Sequence, residues 1–158
     1  MVASRHPFSL YVSVNLYYLM TGKLEQVIIE RRQHLCLADK MRLMAQTLRT
    51  FKGKQCMGKF YEKTNDSFCA YGALGFASGI PKDDLRKADF IKVYRNYGMD
   101  LDESCQVVDF PRDPSGGYGQ YPEKDVSLFQ AISLLNDRGY GFKEIATYLD
   151  TWADNLQS

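Results

Sequence analysis

Leu37, Met41, Met44, Leu48 and Phe51 recur at intervals of 4, 3, 4 and 3. That spacing draws one apolar stripe along an α-helix, which ends near Gly53. Upstream, residues 24–33 are also compatible with a helix, but Glu30 and His34 fall on the same stripe. The seam breaks there, so a bend or a separate helix is expected.

Asn65, Asp66 and Ser67 are good N-cap residues and announce a second helix over residues 67–78, stopped by Gly79 with Pro81 beyond. Ala70, Gly72, Ala73, Gly75 and Ala77 let a neighbouring helix approach closely. Three glycines in or at the end of this helix cost about 1 kcal/mol each relative to Ala, so only tertiary packing holds it and a central position is expected. Pro81 opens a third helix with Asp83 and Asp84 in its first turn, carrying Leu85, Ala88, Ile91 and Tyr94 to Gly98. Regular structure then fades over residues 99–122. The run SCQVVDF suits a short strand, and DPSGGYGQYP reads as a loop by composition.

The last third is the most regular. Residues 125–136 are apolar almost all round (Val126, Leu128, Phe129, Ala131, Ile132, Leu134, Leu135), the mark of a buried helix. NDRGYG makes a tight turn, and Phe142, Ile145, Ala146, Leu149, Trp152, Ala153 and Leu156 continue at helical spacing. These two helices predict a C-terminal αα-hairpin packed on the helix of residues 67–78. The pattern as a whole gives an all-α single domain of four to six helices, with room for one short strand pair near residues 105–121. Its core includes Leu48, Ala73, Leu74, Phe129, Ile132, Ile145, Leu149 and Trp152, and the tyrosines line the margins.

Residues 8–20, FSLYVSVNLYYLM, form an apolar run preceded by Arg5 and His6. It is too short to span a membrane and no small-residue cleavage pattern follows it. It reads as a buried element, or as an extension ahead of a later start at Met41 or Met44. We therefore divide the chain into an N-terminal extension, 1–40, and a helical domain, 41–158, and expect the first 22 residues to be dispensable.

Composition adds limits. With 158 residues the chain can bury a core without a metal or disulfide staple. Its net charge of +1 supplies no global field toward nucleic acid or membrane. Cys36, Cys56, Cys69 and Cys105 lack CxxC spacing and read as reduced thiols in a cytoplasmic protein.

Candidate chemistry is sparse. The run LLNDRGYGFKEIATYLD matches the first half of a helix-turn-helix, which needs a recognition helix to follow. Residues 150–158 carry Asp150 and Asp154 and no Lys or Arg, so a packing hairpin is the favoured reading. RTFKGKQCMGKFYEK is the one basic stretch. Arg49, Lys52, Lys54, Lys59, Phe60 and Lys63 offer charge and stacking to nucleic acid, or a solvated helix end. Cys69 sits in a helix first turn, but it lies on a packing face and residues 41–158 hold no histidine to serve as its base. His34, Cys36, Cys56 and Cys69 match no zinc spacing. A calcium loop from Asp100 would place Cys105 and Pro111 where Gly and Glu are required, and GGYG lacks the Lys of a phosphate loop. No metal, cofactor or catalytic set is therefore assigned, and the reading leans away from an enzyme.

CAYGAL on a helix, followed some way on by LNDRGYGFKEIATYL, resembles a group of short helical proteins of bacteria and their phages with a C-x-x-GAL helix and a late ND-x-G turn. Cys69, Gly72, Ala73, Leu74, Asn136, Asp137 and Gly139 carry it. The resemblance implies a helical fold and a phage or mobile-element setting, and brings no assigned activity with it. The leading functional expectation is a small protein-binding regulator that uses Tyr118 and Tyr121 of the glycine-rich loop as contacts. The alternative is a nucleic-acid-binding accessory protein that uses the basic stretch.

Overall fold

The computed structural model describes residues 26–111 and 125–157. Among these, six helices of seven residues or more and two of a single turn surround one core, with a small sheet at one side. The all-α single domain is thus the observed architecture.

Helix α1, Gln26–Gln33, buries Ile28, Ile29 and Arg32. The Arg32 guanidinium lies over the Tyr97 ring at 5.5 Å and donates to the Asn96 carbonyl. Helix α2, Leu37–Thr50, follows the expected stripe, with Met41, Met44 and Leu48 inaccessible to solvent. The boundary set at residue 40 falls within this helix, whose first turn is buried at Ala38 and Asp39. The segment 8–20 lies outside the described residues.

Three two-residue strands follow: β1, Lys54–Gln55; β2, Tyr61–Glu62; and β3, Ser67–Phe68. Their order is β1-β3-β2, with β1 parallel to β3 (Gln55↔Phe68) and β2 antiparallel to it (Tyr61↔Phe68). Strand β3 occupies the residues expected to open the second helix. Helix α3 accordingly begins later and spans Ala70–Ala77, capped by Cys69, whose sulfur accepts from the Gly72 N–H at 3.4 Å. Gly72 is required there: a Cβ would stand 1.6 Å from the Phe60 carbonyl oxygen.

The expected third helix is broken in two, α4, Lys82–Leu85, and α5, Phe90–Asn96, because Asp89 caps a new start by accepting from the Lys92 N–H at 2.8 Å. Helix α6, Leu101–Ser104, is one turn closed by an Asp100/Glu103 capping box. Glu103 also holds the buried Lys40 at 2.7 Å. Near residue 107 the strand signal becomes an isolated antiparallel bridge, Val107↔Ser127, so the partner lies beyond the expected range.

Helix α7, Leu128–Asp137, starts at a Ser127/Gln130 capping box, and α8 spans Phe142–Gln157. Helix α7 packs on α3 as expected, but the principal partner of α8 is α2. The two lie antiparallel, pinned by Arg42–Asp154 at 2.8 Å and Arg49–Asp150 at 2.6 Å. Leu48, Ala73, Leu74, Ile132, Ile145, Leu149 and Trp152 are buried, and Phe129 packs half-buried against them. Tyrosines do not keep to the margins. Tyr71, Tyr94 and Tyr97 sit at the centre, where each hydroxyl finds a partner: Tyr71 with Tyr94 and the Phe129 carbonyl, Tyr97 with the Leu74 carbonyl at 2.7 Å. A buried phenol is tolerated when its O–H is bonded.

Candidate functional site: the hairpin turn and the basic loop

Helix α7 ends in Asn136 and Asp137. Gly139 supplies a left-handed φ of +88° that lets the chain reverse into α8. Asn136 is 1% exposed, and its amide ties three segments together. Its Oδ1 accepts from the Ala70 N–H at 2.9 Å and from Gln55 Nε2 at 2.8 Å, and its Nδ2 donates to the Cys56 carbonyl at 2.9 Å. Gln55 Nε2 also donates to the Tyr140 carbonyl at 2.7 Å, and the Gly58 N–H donates to Asp137 at 3.3 Å. The first turn of α3, the strand β1 and the hairpin turn therefore meet at one side chain. Cys69, Gly72, Asn136, Asp137 and Gly139, distant in sequence, belong to this one junction.

The same contacts set the basic loop beside the turn. Lys52, Lys54, Lys59 and Lys63 are exposed, and Lys143 is exposed in the first turn of α8. Lys59 pairs with Glu62 at 2.8 Å, and this ammonium, with help from the Thr64 N–H, holds the Glu62 carboxyl at about 2. Arg49 is half-buried and engaged with Asp150. Phe60 is not free to stack on a base: its ring packs against Phe90 at 5.0 Å and Tyr71 at 6.2 Å. Of the six candidate nucleic-acid residues, the four lysines thus form the accessible charge, while Arg49 and Phe60 hold the scaffold.

Between the loop and α7 lies a cavity of about 140 Å³ lined by Gly58, Lys59, Phe60, Cys69, Asn136 and Asp137 among others. Burial pushes the Cys69 thiol up to about 11, so near neutral pH it is mostly a protonated cap and only a small thiolate fraction is available to react. Among the described residues no three metal-ligating side chains stand together. None of the described helices is long and apolar enough to cross a membrane. Tyr118 and Tyr121 lie outside the described residues. Sequence reasoning missed Gln55 and the sheet, whose two-residue strands are too short for any alternation to register.

The segment leading into the hairpin is bonded to it. Val108 N–H donates to the Val126 carbonyl at 3.0 Å and Leu128 N–H to the Gln106 carbonyl at 2.8 Å. Trp152 Nε1 on α8 donates to the Asp109 carbonyl at 3.0 Å. Arg138 in the turn lies over the Phe110 ring at 4.9 Å and donates to the Pro111 carbonyl at 3.4 Å. A strand segment and two helices form one internally bonded unit, of the class in which an αα-hairpin is presented on a helical scaffold. That unit is also where a likeness to known proteins falls: residues 105–152 match the family described as MerR HTH family regulatory protein. The match covers less than half of the chain. No curated protein and no solved structure matches it.

Proposed function

We propose that this chain is a DNA-binding regulatory protein whose contact face combines the turn between α7 and α8 with the basic loop 52–63. The observation that carries the reading is the match of residues 105–152 to the MerR HTH family regulatory protein. Geometry supports it: Asn136, Gln55 and Asp137 bind the loop to the turn, so Lys52, Lys54, Lys59 and Lys143 belong to neighbouring segments. Helix α8 itself runs on past Asp150 and Asp154, which are occupied by Arg49 and Arg42, so phosphate contact falls to the lysines of the loop and turn. Lysine clusters of this kind bind by counterion release, which makes affinity steeply salt-dependent.

Fluorescence anisotropy against a pool of random-sequence duplex fragments tests the proposal. Binding is expected at about 50 mM salt, weakening as salt rises with a log–log slope of about −0.9 per phosphate neutralised. Replacing Lys52, Lys54 and Lys59 together by Glu is expected to abolish it. No retention of duplex at that salt, by a chain that melts cooperatively, refutes the proposal.

A further inference from the structure

Four cysteines are present and none is in a disulfide, but two of them are not placed independently. Strands β1 and β3 run parallel with Lys54 opposite Ser67 and Gln55 opposite Phe68. The next pair in that register is Cys56 and Cys69. The last ladder bond runs from the Cys56 N–H to the Phe68 carbonyl at 2.8 Å, and just beyond it the Asn136 amide bridges the Cys56 carbonyl and the Ala70 N–H in place of a direct strand bond. The adjoining ladder pairs lie about 4.8 Å apart, and a disulfide accepts a Cα separation up to about 6.8 Å, so the first residues beyond the ladder can still be bridged as the strands begin to part. Facing residues of a parallel pair also project to the same side of the sheet.

Two further contacts bring the two residues to one carbonyl. The Cys56 thiol donates to the Lys59 carbonyl at 3.4 Å, and the Cys69 N–H donates to that same carbonyl at 3.2 Å. Asn136 clips the backbone on both sides, holding the Cys56 carbonyl and the Ala70 N–H at 2.9 Å each. The electrostatic influence of Cys56 on the Cys69 thiol agrees with this proximity.

We propose that Cys56 and Cys69 are a redox pair that closes to an intramolecular disulfide when the protein meets a small disulfide such as oxidised glutathione. Cys56 is the more accessible of the two and Cys69 is buried. The Cys56 thiolate attacks one sulfur of the oxidant, forming a mixed disulfide and releasing one glutathione thiol. Cys69 then loses its proton to solvent and attacks the Cys56 sulfur, and the second glutathione leaves as thiol. The protein pair is oxidised by two electrons and the small disulfide is reduced by two. The new bond ties β1 to the cap of α3 and closes residues 57–68, the loop that carries Lys59 and Lys63. The inference stands apart from the nucleic-acid reading, because it rests on the sheet and the contacts around the two cysteines and on no charged residue.

The test uses the full chain, folded and reduced, incubated with oxidised glutathione, quenched with an alkylating agent and digested with trypsin. The expected product is peptide 55–59 linked through its cysteine to peptide 64–82, with Cys36 and Cys105 alkylated or glutathionylated. The linked form should melt higher than the reduced one, and reductant should reverse the shift. In Cys69→Ser the reaction should stop at a stable glutathione adduct on Cys56. A wild-type chain in which Cys36 and Cys105 have reacted while Cys56 and Cys69 remain alkylated separately, or in which Cys56 keeps its glutathione unresolved, overturns the proposal.

Discussion

Replacing Asn136 by Ala removes a side chain that joins α3, β1 and the hairpin turn. The cost can be worked from its bonds. The Ala70 N–H it accepts is one of the free donors at the start of α3, and Ala70 is inaccessible to solvent. No water can replace the amide there without rearrangement, so that donor alone costs about 1–3 kcal/mol. The Cys56 carbonyl loses its Nδ2 donor but belongs to a half-buried residue, which adds about 0.5–1.5 kcal/mol. Gln55 keeps its bond to the Tyr140 carbonyl and adds little. The total is about 1.5–4.5 kcal/mol. The neighbouring Asp137 is exposed and accepts only a 3.3 Å bond from Gly58, so Asp137→Ala should cost less than about 1 kcal/mol. Urea melts of the two variants beside the parent measure both, provided the slopes agree. An Asn136→Ala loss below about half a kilocalorie, or equal losses at both positions, would refute the reasoning.

Further expectations follow from packing and burial. Leu149 is inaccessible on the face of α8 that meets α2, and Leu149→Ala should cost about 2–5 kcal/mol in the same melts; a change under about half a kilocalorie would place that face outside the core. Gly72→Ala must push back the Phe60 carbonyl, 1.6 Å from the new Cβ, and should destabilise by about 1–3 kcal/mol or more; an unchanged melting temperature would show that the chain before α3 yields freely. A chain beginning at Met41 lacks buried Ile28, Ile29, Arg32 and Ala38 and should lose its cooperative melt, whereas a melt like the parent's would set the domain boundary at residue 40. Burial raises the Cys69 thiol from 9.0 to about 11 and raises the Tyr71, Tyr94 and Tyr97 phenols above 10.0. The folded state then keeps protons that the unfolded state releases above about pH 9. That part of the stability is complete below pH 9 and declines through pH 11 and beyond, which thermal melts against pH can check; stability rising over that range would contradict the burial of these groups.

Much of the helical frame was legible in the sequence because its signal is local. The stripe from Leu37 to Phe51 and the paired patterns on either side of NDRGYG repeat with helical period over several turns, and α2, α7 and α8 stand where they predict. The N-cap was not legible in the same way. Asn65, Asp66 and Ser67 have the chemistry of an N-cap, but Ser67 and Phe68 pair with β1 and β2 instead, and the cap falls to Cys69. Only the tertiary structure could decide that, because two-residue strands are held by partners 5 to 13 positions away and leave no period of their own. The candidate site divides the same way. Its lysines were visible as a charge run, and Asn136, Asp137 and Gly139 as a turn. That Asn136 is spent on Ala70, Gln55 and Cys56, that Phe60 is held against Phe90 and that Arg49 is held by Asp150 follow from contacts across most of the chain. Residue type sets which bonds a side chain can make; the fold sets which of them are made.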